Sequence, residues 1–307
     1  MAESRIPVDL TNPGQVISCL GFMEACDALG LGPVMGGFDW SDPTDIGFRL
    51  QAQCDENPVE AVLSFLAEAE LSVLVPDRSN RDEEKSEKSV RAESAPCHTF
   101  PVFPKDDTNI APIVLRKDDR RIEMFHWADA SGREPFKTFA GQQVASEIVR
   151  KMLRSDDTRK AGKRAANTFD ALYSEDPDRW VAEPFARTVA LETAFGFDAR
   201  GAWDAIRLGS SADTQKLLAG VSPVVELLCS LGLSHARPSV TDRTADGSYG
   251  FAYCAWSEQL HLALARPALG MVGRASEPGL RVRRFRSHQG KDKYYKKFFF
   301  ATEIMPS

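Results

Sequence analysis

The sequence lacks the features that mark several common classes of protein. No apolar run approaches the ~18 residues that a membrane-spanning helix needs, so we expect neither a membrane segment nor a membrane partner. Residues 1–5 lack the basic start and apolar run of a signal peptide, which predicts a cytoplasmic protein. None of the six cysteines forms a C-x-x-C pair, and most lie in apolar segments, which predicts reduced, mostly buried thiols.

Familiar catalytic motifs are also missing. The chain has no G-x-S-x-G, no Walker lysine motif and no G-x-G-x-x-G. Its five histidines form no H-E-x-x-H or His-x-His pair, so we predict no metal site and no other cofactor. His126 lies three residues before Asp129, but a histidine on a strand is more often a structural residue than a catalytic one.

The charge of the chain is unevenly distributed. The 307 residues carry a net charge of −6, yet residues 274–297 contain nine Lys or Arg and two acids, a local net charge of +7. A strongly basic segment on an acidic protein indicates an anionic partner at that place. The aromatic residues in the segment favour nucleic acid, because bases stack on rings while cations hold phosphates.

Two groups of residues are therefore candidates for a nucleic-acid interface. The first is the basic hairpin near the end of the chain, with Arg281, Arg283, Arg284, Arg286, Lys291, Lys293, Lys296 and Lys297 as phosphate contacts and Tyr294 and Tyr295 as stacking candidates. The second is a basic cluster that consists of Arg150, Lys151, Arg154, Lys160, Lys163 and Arg164. A solvated helix face is the alternative for the second cluster.

The basic hairpin has a purely structural alternative as well. In that interpretation Val282 and Phe285 point inward, the arginines point into water, and Phe298 to Phe300 form a core strand. His288 lies beside Lys291 and Lys293, where a histidine with a nearby cation can act as general acid or base in metal-independent RNA cleavage. His288 is therefore a candidate catalytic residue.

The first 76 residues predict a compact unit. Asn12-Pro13 and Asn57-Pro58 each combine a helix N-cap with a proline at the first helical position, and apolar residues follow at helical spacing. With the strands between them, the order is β-α-β-β-α-β. This order predicts a ferredoxin-like or RRM-like unit, in which two helices pack on one face of a four-stranded antiparallel sheet.

The rest of the chain predicts a second mixed α+β unit. Residues 77–99 form a predicted flexible charged insertion, because residues 77–94 have almost no apolar side chains to bury. Residues 100–307 contain a predicted hairpin at 113–127, a helix over about 142–154, and helices capped by Asp198 and Ser222. The basic β-hairpin ends this unit, and the fold class is α+β throughout.

Short blocks of residues spread over most of the chain together resemble a known protein family. They are Ile6-Pro7-Val8-Asp9-Leu10, Asn12-Pro13-Gly14-Gln15-Val16, Gly21-Phe22, Glu24-Ala25, Gly37-Phe38-Asp39-Trp40, Phe197-Asp198-Ala199-Arg200, Trp203-Asp204-Ala205, Ser222-Pro223, Val225-Glu226-Leu227-Leu228, Gly232-Leu233, Leu264-Ala265-Arg266, Arg283-Arg284-Phe285-Arg286, Gly290-Lys291 and Phe298 to Ala301. Together they resemble the small CRISPR-associated proteins that are encoded in type I-U loci, now called type I-G. These blocks are family signatures rather than catalytic motifs, so they indicate kinship rather than a reaction.

The resemblance implies a component of a multi-subunit, RNA-guided, DNA-targeting complex in antiviral defence. It implies guide RNA, target DNA and other effector subunits as partners, and a RAMP-like fold that is built from ferredoxin-like units. The leading hypothesis is a non-catalytic RNA- or DNA-binding subunit. Two alternatives stay open: a metal-independent guide-RNA processing endonuclease that uses His288, and a protein-interaction module whose acidic remainder binds basic neighbours.

Overall fold

The computed structural model describes residues 1–76, 91–95, 111–127, 135–139, 144–154, 168–191, 193–202, 220–243, 248–270, 280–291 and 296–304. Within these ranges the helices are α1 (Pro13–Ala28), α2 (Pro58–Glu68), α3 (Ala145–Leu153), α4 (Phe169–Glu175), α5 (Pro177–Ala182), α6 (Pro223–His235) and α7 (Leu262–Leu269). A 3₁₀ turn covers Ala199–Gly201.

The strands in the same ranges number fifteen. They are β1 (Ala2–Pro7), β2 (Val34–Asp39), β3 (Gly47–Ala52), β4 (Glu70–Pro76), β5 (Arg91–Ala95), β6 (Ile113–Lys117), β7 (Arg120–Met124), β8 (Val189–Ala190), β9 (Gly220–Val221), β10 (Ser239–Arg243), β11 (Tyr249–Trp256), β12 (Leu260–His261), β13 (Val282–Lys291), β14 (Lys296–Phe298) and β15 (Thr302–Ile304). The predicted α+β class is confirmed.

The described strands form four sheets. The first has the order β1-β3-β2-β12, and the second has the order β5-β4-β6-β7. The third has the order β10-β11-β13-β14, with β15 also paired to β13, while β8 and β9 form a two-stranded sheet. The third sheet contains the predicted basic hairpin.

Three helices begin where the cap signals predict them, whereas the predicted Asp198 cap begins only a 3₁₀ turn at Ala199–Gly201. The Asn12 side chain accepts a hydrogen bond from the Gly14 amide, and the Asn57 side chain accepts from the amides of Val59 and Glu60. Ser222 caps α6 in the same way. Each cap satisfies amide groups that have no partner within the helix, and the proline that follows needs no such partner.

The N-terminal unit has the predicted order of elements but not the predicted sheet. β1, β3 and β2 lie side by side, whereas β4 pairs antiparallel with β6 and parallel with β5. Only Ala69 separates α2 from β4, which is shorter than the usual helix–strand connection of about 2–6 residues. β6 also offers β4 a buried apolar partner strand. The prediction of one four-stranded sheet is therefore wrong for β4.

The segment predicted as a flexible insertion contains a strand. β5 runs parallel to β4, with Ser72 opposite Arg91 and Val75 opposite Ser94. The Glu93 carboxylate accepts hydrogen bonds from Ser72 at 2.5 Å and from Arg116 at 3.0 Å. The prediction is wrong for these residues, because backbone pairing and a charged hydrogen bond hold a segment with few apolar side chains. Residues 77–90 and 96–99 lie outside the described residues.

α1 and α6 join the two parts of the chain. A Cβ atom at Gly21 would lie 2.0 Å from the Leu228 carbonyl oxygen, and one at Gly232 would lie 2.5 Å from the Ile17 carbonyl oxygen. No side chain fits at either position, so glycine permits the two helix backbones to touch. The hydrophobic core therefore runs across the predicted boundaries. The division into 1–76, 77–99 and 100–307 as separate units stays a prediction.

The remaining structural predictions concern membranes and thiols. None of the helices in the described ranges is long and apolar enough to cross a membrane. The described cysteines are free thiols, and Cys19, Cys26, Cys229 and Cys254 are buried while Cys54 is half-buried. Mostly buried, unpaired thiols are what the sequence predicts.

The packing of α1 leads to a stability prediction. Leu20 is completely buried in the core. We expect Leu20→Ala to lower the free energy of unfolding by about 2–5 kcal/mol, because it removes buried methyl groups and leaves a cavity. Leu264 lies on α7 with 58% of its surface exposed, so Leu264→Ala should change stability by no more than about 0.5 kcal/mol. Urea unfolding measures both, and equal losses would contradict the assignment of the buried faces.

Candidate nucleic-acid interface

The predicted basic hairpin is present and lies inside a sheet. β13 pairs antiparallel with β14, with Gln289 opposite Phe298 and Lys291 opposite Lys296. On its other side β13 pairs with β11 over eight residue positions. The hairpin is thus built into the third sheet rather than projecting from the protein. Successive side chains of β13 must therefore point to opposite faces of that sheet.

The inward face of β13 carries one of the predicted phosphate contacts. Phe285 is buried, and Arg283 shares its face because the two residues are two positions apart. The Arg283 guanidinium donates two hydrogen bonds to the Glu303 carboxylate, at 2.8 and 2.6 Å. These bonds lower the pKa of Glu303 and raise that of Arg283. Arg283 is therefore an internal partner of β15.

The structural interpretation of the hairpin is wrong in two details. Val282 is half-buried and packs against the same hydrophobic core that contains Phe285, as that interpretation expects. Arg283 faces inward with Phe285 rather than into water. Phe298 is buried as expected, but Phe300 has 49% of its surface exposed.

The opposite face of β13 carries Arg284, Arg286 and His288 at alternate positions, and the ring of Phe299 lies against it. We call these four residues the outer face. Arg286 and His288 are exposed, whereas Arg284 and Phe299 are half-buried. The outer face combines cations with aromatic rings, as the sequence predicts for the hairpin in general.

Asp242 of β10 reaches across the sheet to the outer face. Gly250 lies between β10 and β13, opposite Asp242 on one side and His288 on the other. A Cβ atom at Gly250 would be 2.3 Å from Asp242 Oδ1, so the missing side chain leaves room for the carboxylate. Arg286 Nη2 donates to that oxygen at 2.7 Å. Hydrogen bonds from Thr241 and Arg286, together with the charge of Arg286 and the nearby His288, lower the pKa of Asp242.

A second glycine positions Phe299. A Cβ atom at Gly290 would be 2.4 Å from Phe299 Cε2, so the phenyl ring lies over this position. The ring stacks on the His288 imidazole with 4.3 Å between centroids and 12° between planes. The Phe299 amide also donates to the His288 carbonyl oxygen at 3.2 Å. Phe299 and Asp242 therefore approach His288 from opposite sides.

The other predicted cations of the hairpin are dispersed. Arg281 has 80% of its side chain exposed, with Nε 3.8 Å from Glu258. Lys297 donates to the Gly201 carbonyl oxygen at 3.2 Å, and the Lys296 ammonium lies 5.8 Å from the centre of the Tyr249 ring. Lys291 is the last residue of β13. Lys293, Tyr294 and Tyr295 lie outside the described residues.

The second basic cluster is only partly described. Arg150, Lys151 and Arg154 lie on or next to α3, whose other face is buried through Ile148, Val149, Met152 and Leu153. Arg150 donates two hydrogen bonds to Glu147, at 2.9 and 3.2 Å. The described part of the cluster therefore contains an ion pair on the helix, and both interpretations of the cluster stay predictions. Lys160, Lys163 and Arg164 lie outside the described residues.

A buried polar network connects the starts of two helices to the hairpin. The sequence predicted Asn12, Asp198 and Ser222 as helix caps but not the contacts between them. The Asp198 carboxylate accepts hydrogen bonds from the Asn12 amide group at 2.9 Å and from the Ser222 backbone amide at 2.8 Å. It therefore joins the N-termini of α1 and α6. Arg200 also donates to this carboxylate, at 2.7 Å. Every charged member of the network has a partner, as a buried charge requires.

Glu226 holds the segment that connects this network to the hairpin. Its carboxylate accepts hydrogen bonds from the backbone amides of Gly196, Phe197 and Asp198, at 2.8 to 3.0 Å. Burial raises the pKa of Glu226 to about 7. The Gly196 carbonyl oxygen in turn accepts from the Phe298 amide of β14 at 2.8 Å. The sequence placed Glu226 in the first turn of a helix and in one of the resembling blocks, but neither signal indicated this role.

His126 is a structural residue, although it lies in a turn just after β7 and not on the predicted strand. It is completely buried, and Ser230 Oγ lies 3.1 Å from its Nδ1. Its ring meets those of Trp127 and Phe197 edge-on, at 4.6 and 5.3 Å. Burial, with a smaller contribution from Arg237, lowers the pKa of His126 to about 3. Asp129, the other member of the weak pair, lies outside the described residues.

A cleft of about 390 Å³ lies away from the hairpin. Asp9, Asp45, Glu183 and Arg200 supply its ionisable groups. The Arg200 guanidinium already binds Asp198 and the Phe185 carbonyl oxygen, so the cleft presents mainly carboxylates to solvent. A phosphate would be repelled there, and none of the predicted binding residues lines the cleft.

No family model, curated protein or solved structure matches the chain significantly. The geometry of the outer face, the charge of the hairpin and the sequence resemblance are therefore the grounds for a function.

The burial of His126 predicts an effect of pH on stability. The unfolded chain takes up a proton at this residue below about pH 6.5, whereas the folded protein does so only near pH 3. Folding is therefore favoured above pH 6.5, and about 2 kcal/mol of stability should be lost by pH 5. We expect His126→Phe, which keeps a ring but cannot titrate, to show a loss about 2 kcal/mol smaller over this interval.

The measurement is urea unfolding of both proteins at pH 7.5 and pH 5. The comparison between two pH values removes the constant cost of repacking the core around phenylalanine. Parallel pH profiles for wild type and variant would show that His126 is not held neutral in the folded protein.

Proposed function

We propose that this protein is a non-catalytic nucleic-acid-binding subunit of a type I CRISPR effector complex. One observation carries the binding part of the proposal: cations and stacked aromatic rings meet on the outer face of β13. Arginines at such a face can hold phosphates, and rings can stack on bases. The CRISPR part rests on the resemblance of short sequence blocks to the type I-G proteins.

The charge of the hairpin segment agrees with such a partner. The segment that contains β13 and β14 has a net charge of +7 in a chain of net charge −6. Arg281 and Arg286 are the most exposed of the described arginines in the hairpin, with 80% and 58% of their side chains in solvent, and can reach phosphates; Arg286 is on the outer face, and Arg281 lies just before β13. In an RNA-guided complex the guide reads sequence by base pairing, so a protein subunit needs to supply charge and shape.

A RAMP-like architecture belongs to the same proposal. The β-α-β-β-α-β order of the first 76 residues and the adjacent strands β1, β3 and β2 support it. The membership of β4 in a separate sheet means that only three strands of the unit share one sheet. Guide RNA, target DNA and neighbouring effector subunits are the partners we propose.

Guide-RNA cleavage is a second candidate, favoured by the approach of Asp242 towards His288 across Gly250. A histidine with a nearby carboxylate and the cation Arg286 has the residue types of a metal-independent RNA-cleaving site. The first proposal remains the better supported one, because the His288 ring is stacked on Phe299.

The binding proposal predicts a defined dependence on salt. Binding of a labelled single-stranded RNA should weaken steeply as salt rises, with a logarithmic slope of about −0.7 for each phosphate contact. Replacement of both Arg281 and Arg286 by alanine should weaken binding and flatten the slope by about 1.4. Asp242→Asn should act in the opposite direction and tighten binding about two- to fivefold, because it frees Arg286 from its ion pair.

Fluorescence anisotropy over about 50–200 mM salt measures these slopes. Arg120 is the matched control, since it is an exposed arginine on the β6–β7 hairpin of another sheet. Arg120→Ala should leave affinity and slope unchanged. The same titration with DNA of the same sequence distinguishes guide from target as the bound strand. A double variant that binds like wild type at every salt concentration contradicts the proposal, and purified protein without nucleic acid would favour the protein-interaction module.

The absence of catalysis is tested separately. We expect a repeat-containing RNA to stay intact during incubation with the protein in EDTA. Cleavage to a product with a cyclic phosphate, lost in both His288→Gln and His288→Phe, would establish the second candidate instead. Cleavage that persists in both variants would indicate a contaminating nuclease.

A further inference from the structure

The surroundings of His288 are shaped by two positions without side chains. Gly290 follows it by two residues on the same face of β13, and Gly250 lies opposite it on β11. Phe299 occupies the space above Gly290, and Asp242 occupies the space above Gly250. Any larger residue at Gly290 would displace the phenyl ring. The sheet is therefore built so that one aromatic ring lies parallel to His288.

The stacked rings of His288 and Phe299 lie at the surface, unlike most ring contacts in the described residues. Most ring contacts in the described residues lie in the core, through fully buried side chains such as Phe38, Phe197 and Trp256. The His288–Phe299 pair instead has an exposed member, and its planes are nearly parallel at 12°. A parallel stack at the surface can be extended by one more flat ring. Aromatic side chains bind single strands in this way, because every base has a π face.

The neighbouring charges select the kind of ring that would stack there. Arg286 lies two residues before His288 on the same face, and Arg284 precedes it by two more. A nucleotide carries a phosphate close to its base. It can therefore stack its base on the ring pair and place its phosphate beside these cations. Asp242 disfavours a second negative group directly above Gly250, so the phosphate belongs on the arginine side.

We propose that the His288–Phe299 ring pair is the stacking platform of the interface and that it binds one unpaired base of a single strand. This inference rests on the proposed nucleic-acid binding and adds the position and strandedness of the ligand. Bases inside a duplex are already stacked on their neighbours, so a duplex can use the arginines but not the rings. The platform differs from Tyr294 and Tyr295, the stacking candidates that the sequence predicts.

The experiment compares a labelled single-stranded RNA with the same RNA annealed to its complement. Loss of a base stack costs about 1–3 kcal/mol, so Phe299→Leu should weaken single-strand binding about five- to 150-fold. The slope against salt should stay that of wild type, because no phosphate contact is lost. Binding of the duplex should not change. Phe299→Tyr, which keeps the ring, should bind like wild type.

Phe300 provides a matched control. It is the next residue, has 49% of its surface exposed, and forms no ring contact with His288 in the described structure. Phe300→Leu should leave single-strand binding unchanged. Gly290→Ala is a second, independent variant, because its methyl group displaces the Phe299 ring without altering the ring itself. His288→Leu should weaken single-strand binding, whereas His288→Phe should retain it.

The outcomes separate this inference from the proposed function. If the Arg281 and Arg286 double variant weakens binding but Phe299→Leu and Gly290→Ala bind the single strand like wild type, the rings are not a platform and the proposed function stands. If the wild-type protein binds neither RNA, the proposed function fails first. Equal weakening by Phe299→Leu and Phe300→Leu, or equal weakening for single strand and duplex, would also overturn the platform.

Discussion

The contact between the backbones of α1 and α6 is the constraint on which the rest of the structure depends. Gly21 and Gly232 let the two helices touch, and the Ser18 hydroxyl donates to the Val225 carbonyl oxygen at 2.9 Å across the same interface. Close contact of this kind fixes the relative position of both helices, because neither can slide without a clash. α1 comes from the first 76 residues and α6 from the second half, so this contact organises the whole core.

The same contact sets the position of the basic hairpin. The N-termini of α1 and α6 meet at Asp198, and Glu226 holds the backbone of residues 196–198 beside them. The Gly196 carbonyl oxygen of that segment accepts a hydrogen bond from the Phe298 amide, and the Gly201 carbonyl oxygen accepts one from the Lys297 ammonium. A chain of buried hydrogen bonds therefore runs from the helix crossing to β14. Rigid support of this kind is what a binding surface needs in order to present its side chains without a large loss of entropy.

The arginines of the hairpin divide into internal and external roles. Arg283 is tied to Glu303 by two charged hydrogen bonds and packs over Phe285, so it stabilises the pairing of β13 and β15. Arg286 has one exposed carboxylate partner, a kind of ion pair that is worth little in water and is readily exchanged for a phosphate. The net charge of the segment thus overstates the number of cations that a ligand can use.

The sequence by itself determined the local elements of this protein. Asn12-Pro13, Asn57-Pro58 and Ser222-Pro223 marked three helix starts, because a cap acts on amides only two or three residues away. The alternation and turn residues of the terminal hairpin predicted β13 and β14 for the same reason. His126 was expected to be structural because a strand was predicted there; it is buried as expected, but it lies in a turn just after β7.

Only the tertiary structure decided which distant segments meet. It placed β4 beside β6 instead of β1, because the partner of a strand is chosen by the apolar surface available across the whole fold and not by the order of elements. It turned Arg283 inward, and it brought Asp242 and Phe299 to His288 through the spaces above Gly250 and Gly290. Such contacts join residues that are far apart in the chain, so no local pattern in the sequence encodes them.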